Sequence, residues 1–168
     1  WVCDVGLNEE QFVSKVNNIS IAEAVRLLEK YGNNNDWDVS MASLWSDYKF
    51  LNKVKDLGLT EKTINELKLG LVRDEVSNRK TLGIPVFYNN ILVDTRRYNL
   101  LKHEGVGKVV SSGDRVGWVI PYDTFVKSDE PCYFFEGEKD MLIAYEQGIN
   151  AYTLTGGAGS RPNEYSIN

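Results

Sequence analysis

Few residues in this sequence carry thiol or imidazole chemistry. There are two cysteines, Cys3 and Cys132, near opposite ends of the 168 residues. That count excludes a disulfide framework and fits a reducing, cytosolic setting. His103 is the sole histidine, so a histidine-based metal cluster is excluded; a surface or turn position is its simplest reading. No apolar run approaches the roughly 20 residues needed to cross a bilayer, and no secretory leader pattern is visible. There is no internal repeat and no low-complexity tract. Excess positive charge is also lacking: the net charge is −5. An acidic whole argues against a nonspecific DNA coat, which needs many phosphate contacts, but leaves room for a local basic groove. A chain that starts at Trp1 rather than Met reads as a fragment or a processed piece.

What is present falls into two halves. The first seventy residues read as helical. A helix is expected over 8–32, with Ser20 and Glu23 in capping-box spacing and Gly32 as its stop. "NNND" reads as a polar break, and a second helix is expected from Asp38 to Leu57, ended by Gly58. Thr60 can cap a short third helix closed by Gly70. Beyond Gly70 the pattern turns to β. "GIPVFYNNILVDTRRYNLL" reads as a hairpin around Asn89 and Asn90, and "GKVVSSGDRVGWVIPYD" as another, turning at Ser111–Asp114. "CYFFEG" reads as a strand buried on both faces, with Cys132 a small core residue. A helix over 139–147 and the strand "NAYTLTGG" complete a βαβ unit with parallel strands. The expected fold class is α+β: helical first, then rich in β-hairpins, then βαβ. The four tryptophans read as packing residues.

The chemistry concentrates in "FFEGEKD". Ligands collect at the carboxyl ends of parallel strands, and Glu136 stands there, with Glu138 and Asp140 close behind. Two carboxylates about 4 Å apart repel by about 4 kcal/mol at an effective dielectric near 20. A proton, a basic partner or a cation must offset this. Mg²⁺ suits the task, because it takes carboxylate oxygens together with substrate phosphates. Acidic residues in a first helical turn are also ordinary partners of the helix dipole, a reading that covers Glu138 and Asp140 better than Glu136. Gly137 allows a sharp turn from strand to helix. Gly156 and Gly157, in "TGGAGS", offer unhindered backbone N–H groups to a phosphate.

These residues carry a resemblance. "FFEGEKDMLIAYEQGINAYTLTGGAG" resembles the first half of a Toprim domain, found in bacterial and phage DNA primases, type IA and II topoisomerases and some nucleases. "FLNKVKDLGLTEKTINELKLGL" is similar to the segment that opens the primase polymerase domain. "NNISIAEAVRLLEKYG" resembles the helix after the primase zinc finger. Three matches in the family's own order favour a primase, of the phage or mobile-element kind.

The resemblance implies four regions: 1–32 after a degenerate or truncated finger, 33–70 a helical lead-in, 71–128 a basic β-rich subdomain, and 129–168 a partial Toprim domain. It implies Glu136 as metal ligand or general acid/base, Asp140 as its partner on Mg²⁺ or Mn²⁺, and a cytoplasmic setting in a bacterial host. It further implies single-stranded DNA template and nucleoside triphosphates as partners, with a replicative helicase in cis or in trans and no membrane. No zinc is expected, because Cys3 is followed by Asp4, Val5 and Gly6 and not by a C-x-x-C spacing. The family's D-x-D motif, expected after the next strand, does not follow Gly159, so these residues alone are expected to be inactive.

Residues 96–115 hold five basic against two acidic residues, a net +3, while 127–146 carries a net −4. A basic hairpin facing an acidic metal cluster is what phosphoryl transfer to nucleic acid uses. By the resemblance, Arg97, Lys102, Lys108 and Arg115 hold template and nucleotide. Two other readings remain open: a noncatalytic nucleic-acid-binding or partner-docking module that kept a decayed Toprim half, and a Toprim nuclease or topoisomerase fragment.

Overall fold

A computed structural model describes residues 20, 34–73, 78–88, 90–105, 107–111, 117–125, 129–157 and 159–163. The helix expected over 8–32, Cys3 and Arg115 lie outside the described residues.

The lead-in holds two helices where one was expected. Helix α1 spans Asn34–Ser46 and α2 spans Tyr48–Lys55. The start is also earlier than expected, within the "NNND" tetrad. Asp47 makes the break. One of its oxygens accepts from the Phe50 amide at 3.2 Å. The other binds Lys80 at 2.6 Å and Arg73 at 3.4 Å. A side chain that caps the next helix and ties down two strand cations outcompetes continued winding. Helix α3, Glu61–Glu66, is capped by the Thr60 hydroxyl as expected, at 3.4 Å from the Thr63 amide. Its exit differs: Lys68 takes the left-handed turn (φ 51), and Gly70 already belongs to a strand.

Four antiparallel strands follow in the order β1-β2-β3-β4: Gly70–Arg73, Lys80–Tyr88, Ile91–Tyr98 and Val109–Ser111. The β2–β3 hairpin is as expected, with Asn90 at φ 64. The register aligns Gly70, Gly83, Arg97 and Val110 across the sheet, on one face. Helix α1 covers that face. A Cβ on Gly83 would stand 2.7 Å from the Trp37 ring, so glycine is what lets the helix come so close. Pleating turns Leu82, Ile84 and Val86 to the opposite face, with Tyr98, Arg96 and Asp94 beside them.

The second sheet has the order β5-β7-β6. Strand β5 is Val119–Ile120, followed by the short helix α4, Tyr122–Phe125. Strand β6, Tyr133–Phe135, helix α5, Glu138–Glu146, and strand β7, Ala151–Leu154, form the expected βαβ unit, and β6 runs parallel to β7. Among the described residues the two runs flanking Ser111–Asp114 do not pair with each other as the second expected hairpin requires. β4 extends the pairing of β3, while β5 runs antiparallel to β7. Trp118 fixes this choice: its amide donates to the Thr155 hydroxyl and its carbonyl accepts from the Thr155 amide, both at 2.8 Å. One buried apolar cluster joins both sheets, from Leu44 and Val54 through Leu82 and Ile84 to Met141 and Ala151.

Strand β6 is not buried on both faces. Tyr133 is 59% and Phe134 48% exposed, and Cys132 is an exposed thiol and not a core residue. The reason is position: among the described residues β6 pairs only with β7 and forms the sheet edge. Phe134 still packs on one side, against Phe125 and Tyr152 with ring centroids 5.8 and 5.9 Å away.

Candidate functional site

The acidic turn sits where β6 gives way to α5, at the carboxyl end of a parallel pair. Gly137 is the N-cap of α5, with extended backbone and no capping side chain. Its three neighbouring carboxylates have different fates. Glu138 turns inward. Its Oε1 accepts from Arg96 Nε at 2.7 Å, with side chains 6% and 8% exposed respectively. Glu136 and Asp140 are exposed and form no ion pair with any described residue. The repulsion within the turn is thus relieved for one carboxylate by a buried guanidinium, and two remain facing solvent.

Arg96 and Glu138 were missed by sequence reasoning. Arg96 counted only toward the basic stretch, and Glu138 read equally well as a partner of the helix dipole. Register was the missing signal. Arg96 pairs across from Ile84 on the core face, whereas Arg97, one residue on, pairs across from Gly83 on the α1 face. A one-residue step along a strand reverses the face. Arg97 is half-buried, with its Nε buried and without a hydrogen-bond partner.

Lys102 and Lys108 are exposed on the connection between β3 and β4. Asn99 shapes that connection. Its side chain takes the His103 amide at 2.9 Å and donates to the His103 carbonyl at 3.1 Å. Its amide donates to the Lys108 carbonyl at 2.9 Å. Lys102 has φ 53 in the loop so formed.

The glycine loop after β7 abuts the acidic turn: a Cβ on Gly157 would lie 3.9 Å from the Glu136 carbonyl oxygen. Gly156 (φ 98) and Gly157 (φ 79) are both left-handed, and a Cβ on Gly156 would collide with the Ser160 hydroxyl. The Gly157 amide is already used, donating to the Leu154 carbonyl at 3.1 Å. Among the described residues the Gly156 amide makes no backbone hydrogen bond, so of the two it is the one with capacity for an anion.

Helix α5 is also held at its far end. The Glu146 carboxylate accepts from the Thr60 amide at 2.8 Å and from the Thr60 hydroxyl at 3.2 Å. That amide bond, aided by the Thr63 hydroxyl, holds the Glu146 carboxyl below the usual carboxylate range. Asp47 is likewise held low, first by its bond from Lys80 and then by the Phe50 amide.

No group of three or more histidine, cysteine or acidic side chains placed to hold a metal occurs among the described residues. The donor set of Glu136 and Asp140 still fits Mg²⁺, which keeps several waters and binds through one or two carboxylates plus substrate phosphates. Among the described residues no helix is long and apolar enough to cross a membrane.

No protein-family model matches the chain, and no curated protein matches it by sequence. Solved structures do match. The zinc-binding and RNA polymerase domains of the Aquifex aeolicus primase superpose with a TM-score of 0.63 at 17% identity, over 94% of this chain and 53% of that one. The DnaG catalytic core gives 0.60 at 14% identity, over 80% and 54%. The chain therefore has a primase-like α+β fold, and it spans about half the length of these structures.

Proposed function

We propose that this chain is part of a DNA primase of the Toprim type, which makes short RNA primers from nucleoside triphosphates on single-stranded DNA. The observation that carries the reading is the sorting of the acidic turn. Glu138 is consumed by Arg96, while Glu136 and Asp140 form no ion pair among the described residues and stand at the carboxyl end of a parallel strand, beside a glycine loop. The primase-like fold supports it.

In this reading Glu136 and Asp140 hold Mg²⁺ or Mn²⁺, and Glu136 stands where it can also accept the proton of the primer 3′-hydroxyl. The metal, when bound, neutralises charge on the reacting phosphates. The Gly156 amide would meet a phosphate oxygen in this reading. Lys102 and Lys108, exposed on their loop, contribute to the hold on template or nucleotide, with Arg115 and the half-buried Arg97 as lesser candidates. A two-metal site needs more carboxylates than Glu136 and Asp140 supply, so a D-x-D motif on a further strand is part of the proposal. The outer edge of β6, which pairs with no other strand than β7 among the described residues and bears exposed Tyr133 and Phe134, is a fitting place for that strand. A phage or mobile-element parent, with a replicative helicase in cis or in trans, is the setting we favour.

The test is primer synthesis by the parent protein with template, triphosphates and Mg²⁺. Glu136→Gln should abolish it while leaving DNA binding intact, and residues 1–168 alone should make no primers. Full synthesis by Glu136→Gln would overturn the role of Glu136, and synthesis by residues 1–168 would overturn the need for the further motif. Loss of strand cleavage instead of primer synthesis would favour a Toprim nuclease or topoisomerase. DNA binding without any synthesis by the parent would favour a noncatalytic module.

A further inference from the structure

Helix α5 is tied at both ends to parts of the chain far away in sequence. At its first residue Glu138 is buried against Arg96 of β3, 42 positions earlier, and at its last residue Glu146 accepts from Thr60, 86 positions earlier. Both contacts lie outside the backbone bonds of the helix itself. Its first turn lies at the chain's own Gly137 cap, and its last turn closes through amides of Gln147 and Gly148 on carbonyls of Ile143, Ala144 and Tyr145. The two ties instead fix where the helix lies relative to the four-stranded sheet and α3. Packing by Met141, Leu142 and Ala144 is apolar and non-directional. The ion pair is directional: one guanidinium N–H meets one carboxylate oxygen, both buried.

We propose that Arg96 and Glu138, with Thr60 and Glu146 at the opposite end, are positioning residues that lock the acidic turn in place against the basic sheet. Resting on the reading above, this gives Glu138 a task different from that of its neighbours. It does not bind metal. It holds the first turn of α5 so that Glu136 and Asp140 stay at a fixed place relative to the β3–β4 connection bearing Lys102 and Lys108. Misplacement by about 1 Å can cost on the order of 10²-fold in rate, so an electrostatic tie at the root of the turn has a use beyond stability.

The test measures position directly. Spin labels go on the exposed Cys132, beside β6, and on an introduced cysteine at the exposed Lys108, in a Cys3→Ser background. Wild type should give one narrow distance distribution by pulsed electron paramagnetic resonance. Glu138→Gln, which keeps shape and removes charge, should shift or broaden it by about 1–2 Å, the scale of a helix displacement. The apolar pair R96M/E138L should regain thermal stability yet keep the broadened distribution. A purely structural role predicts the reverse. Distributions as narrow as wild type in folded Glu138→Gln or in the apolar pair would overturn the proposal. In the parent protein, Glu138→Gln should lower kcat for primer synthesis and leave KM for triphosphate unchanged. The distance result stands whether or not the parent makes primers. A clamp that fails and a primase reading that fails are therefore separate outcomes.

Discussion

At the residue scale, Glu136 and Glu138 differ in what each can reach. Glu138 heads the helix and meets Arg96 in the core; Glu136 ends the strand and meets no described cation. Two charges taken out of water are tolerable only together, so removing one strands the other. Glu138→Gln or Arg96→Met should therefore cost about 3–5 kcal/mol of stability. Replacing both by apolar side chains of similar volume should be nearly neutral. Urea unfolding of the four-member cycle measures this. A loss below about 1 kcal/mol for the single variants, the range of exposed pairs, would mean the pair is solvated in solution.

At the scale of elements, two carboxylates act as fasteners between helices and their neighbours. Asp47 caps α2 while binding Lys80 and Arg73, and Glu146 caps α3 from α5. Both have folded-state pKa values lowered from the ordinary carboxylate range. A depressed carboxylate stabilises the fold above its unfolded pKa and loses that contribution as pH falls through its folded pKa. Stability should thus be level near neutrality and decline as the pH drops below about 4, the ordinary carboxylate range. Asp47→Asn with Glu146→Gln should lower the urea midpoint at pH 7 and flatten its fall toward pH 3. A slope equal to wild type would contradict the assignment.

Asp47 also shows why part of the fold could not be read ahead. The apolar stripe from Met41 to Val54 is continuous in sequence. The break comes from Lys80 and Arg73, 33 and 26 positions away. The β2–β3 hairpin and the βαβ unit were legible because Asn90 and Gly137 act locally. The strand "CYFF" was legible as a strand but not as an edge, since edge position depends on which strands pair with it. The pairing of β5 with β7 was hidden for the same reason: the Trp118–Thr155 bonds span 37 positions.

At the scale of the whole molecule, two sheets share one core, and α5 carries the acidic turn against it. The place of Glu136 and Asp140 at a strand's carboxyl end was legible from local pattern. Their lack of an ion pair among the described residues was not, because it depends on Arg96 taking Glu138. Likewise the paired fate of the Gly157 amide followed from Leu154 and not from composition. The proposed function rests on Glu136 and Asp140 binding a divalent ion. The most direct measurement replaces Mg²⁺ by Fe²⁺ in the parent protein and maps where locally generated hydroxyl radicals cut the backbone. The account predicts cuts at the β6–α5 turn and at the Gly156–Gly157 loop, lost in Glu136→Gln and Asp140→Asn and competed away by Mg²⁺. Cuts elsewhere, or cuts at the turn unchanged by both substitutions, would contradict it.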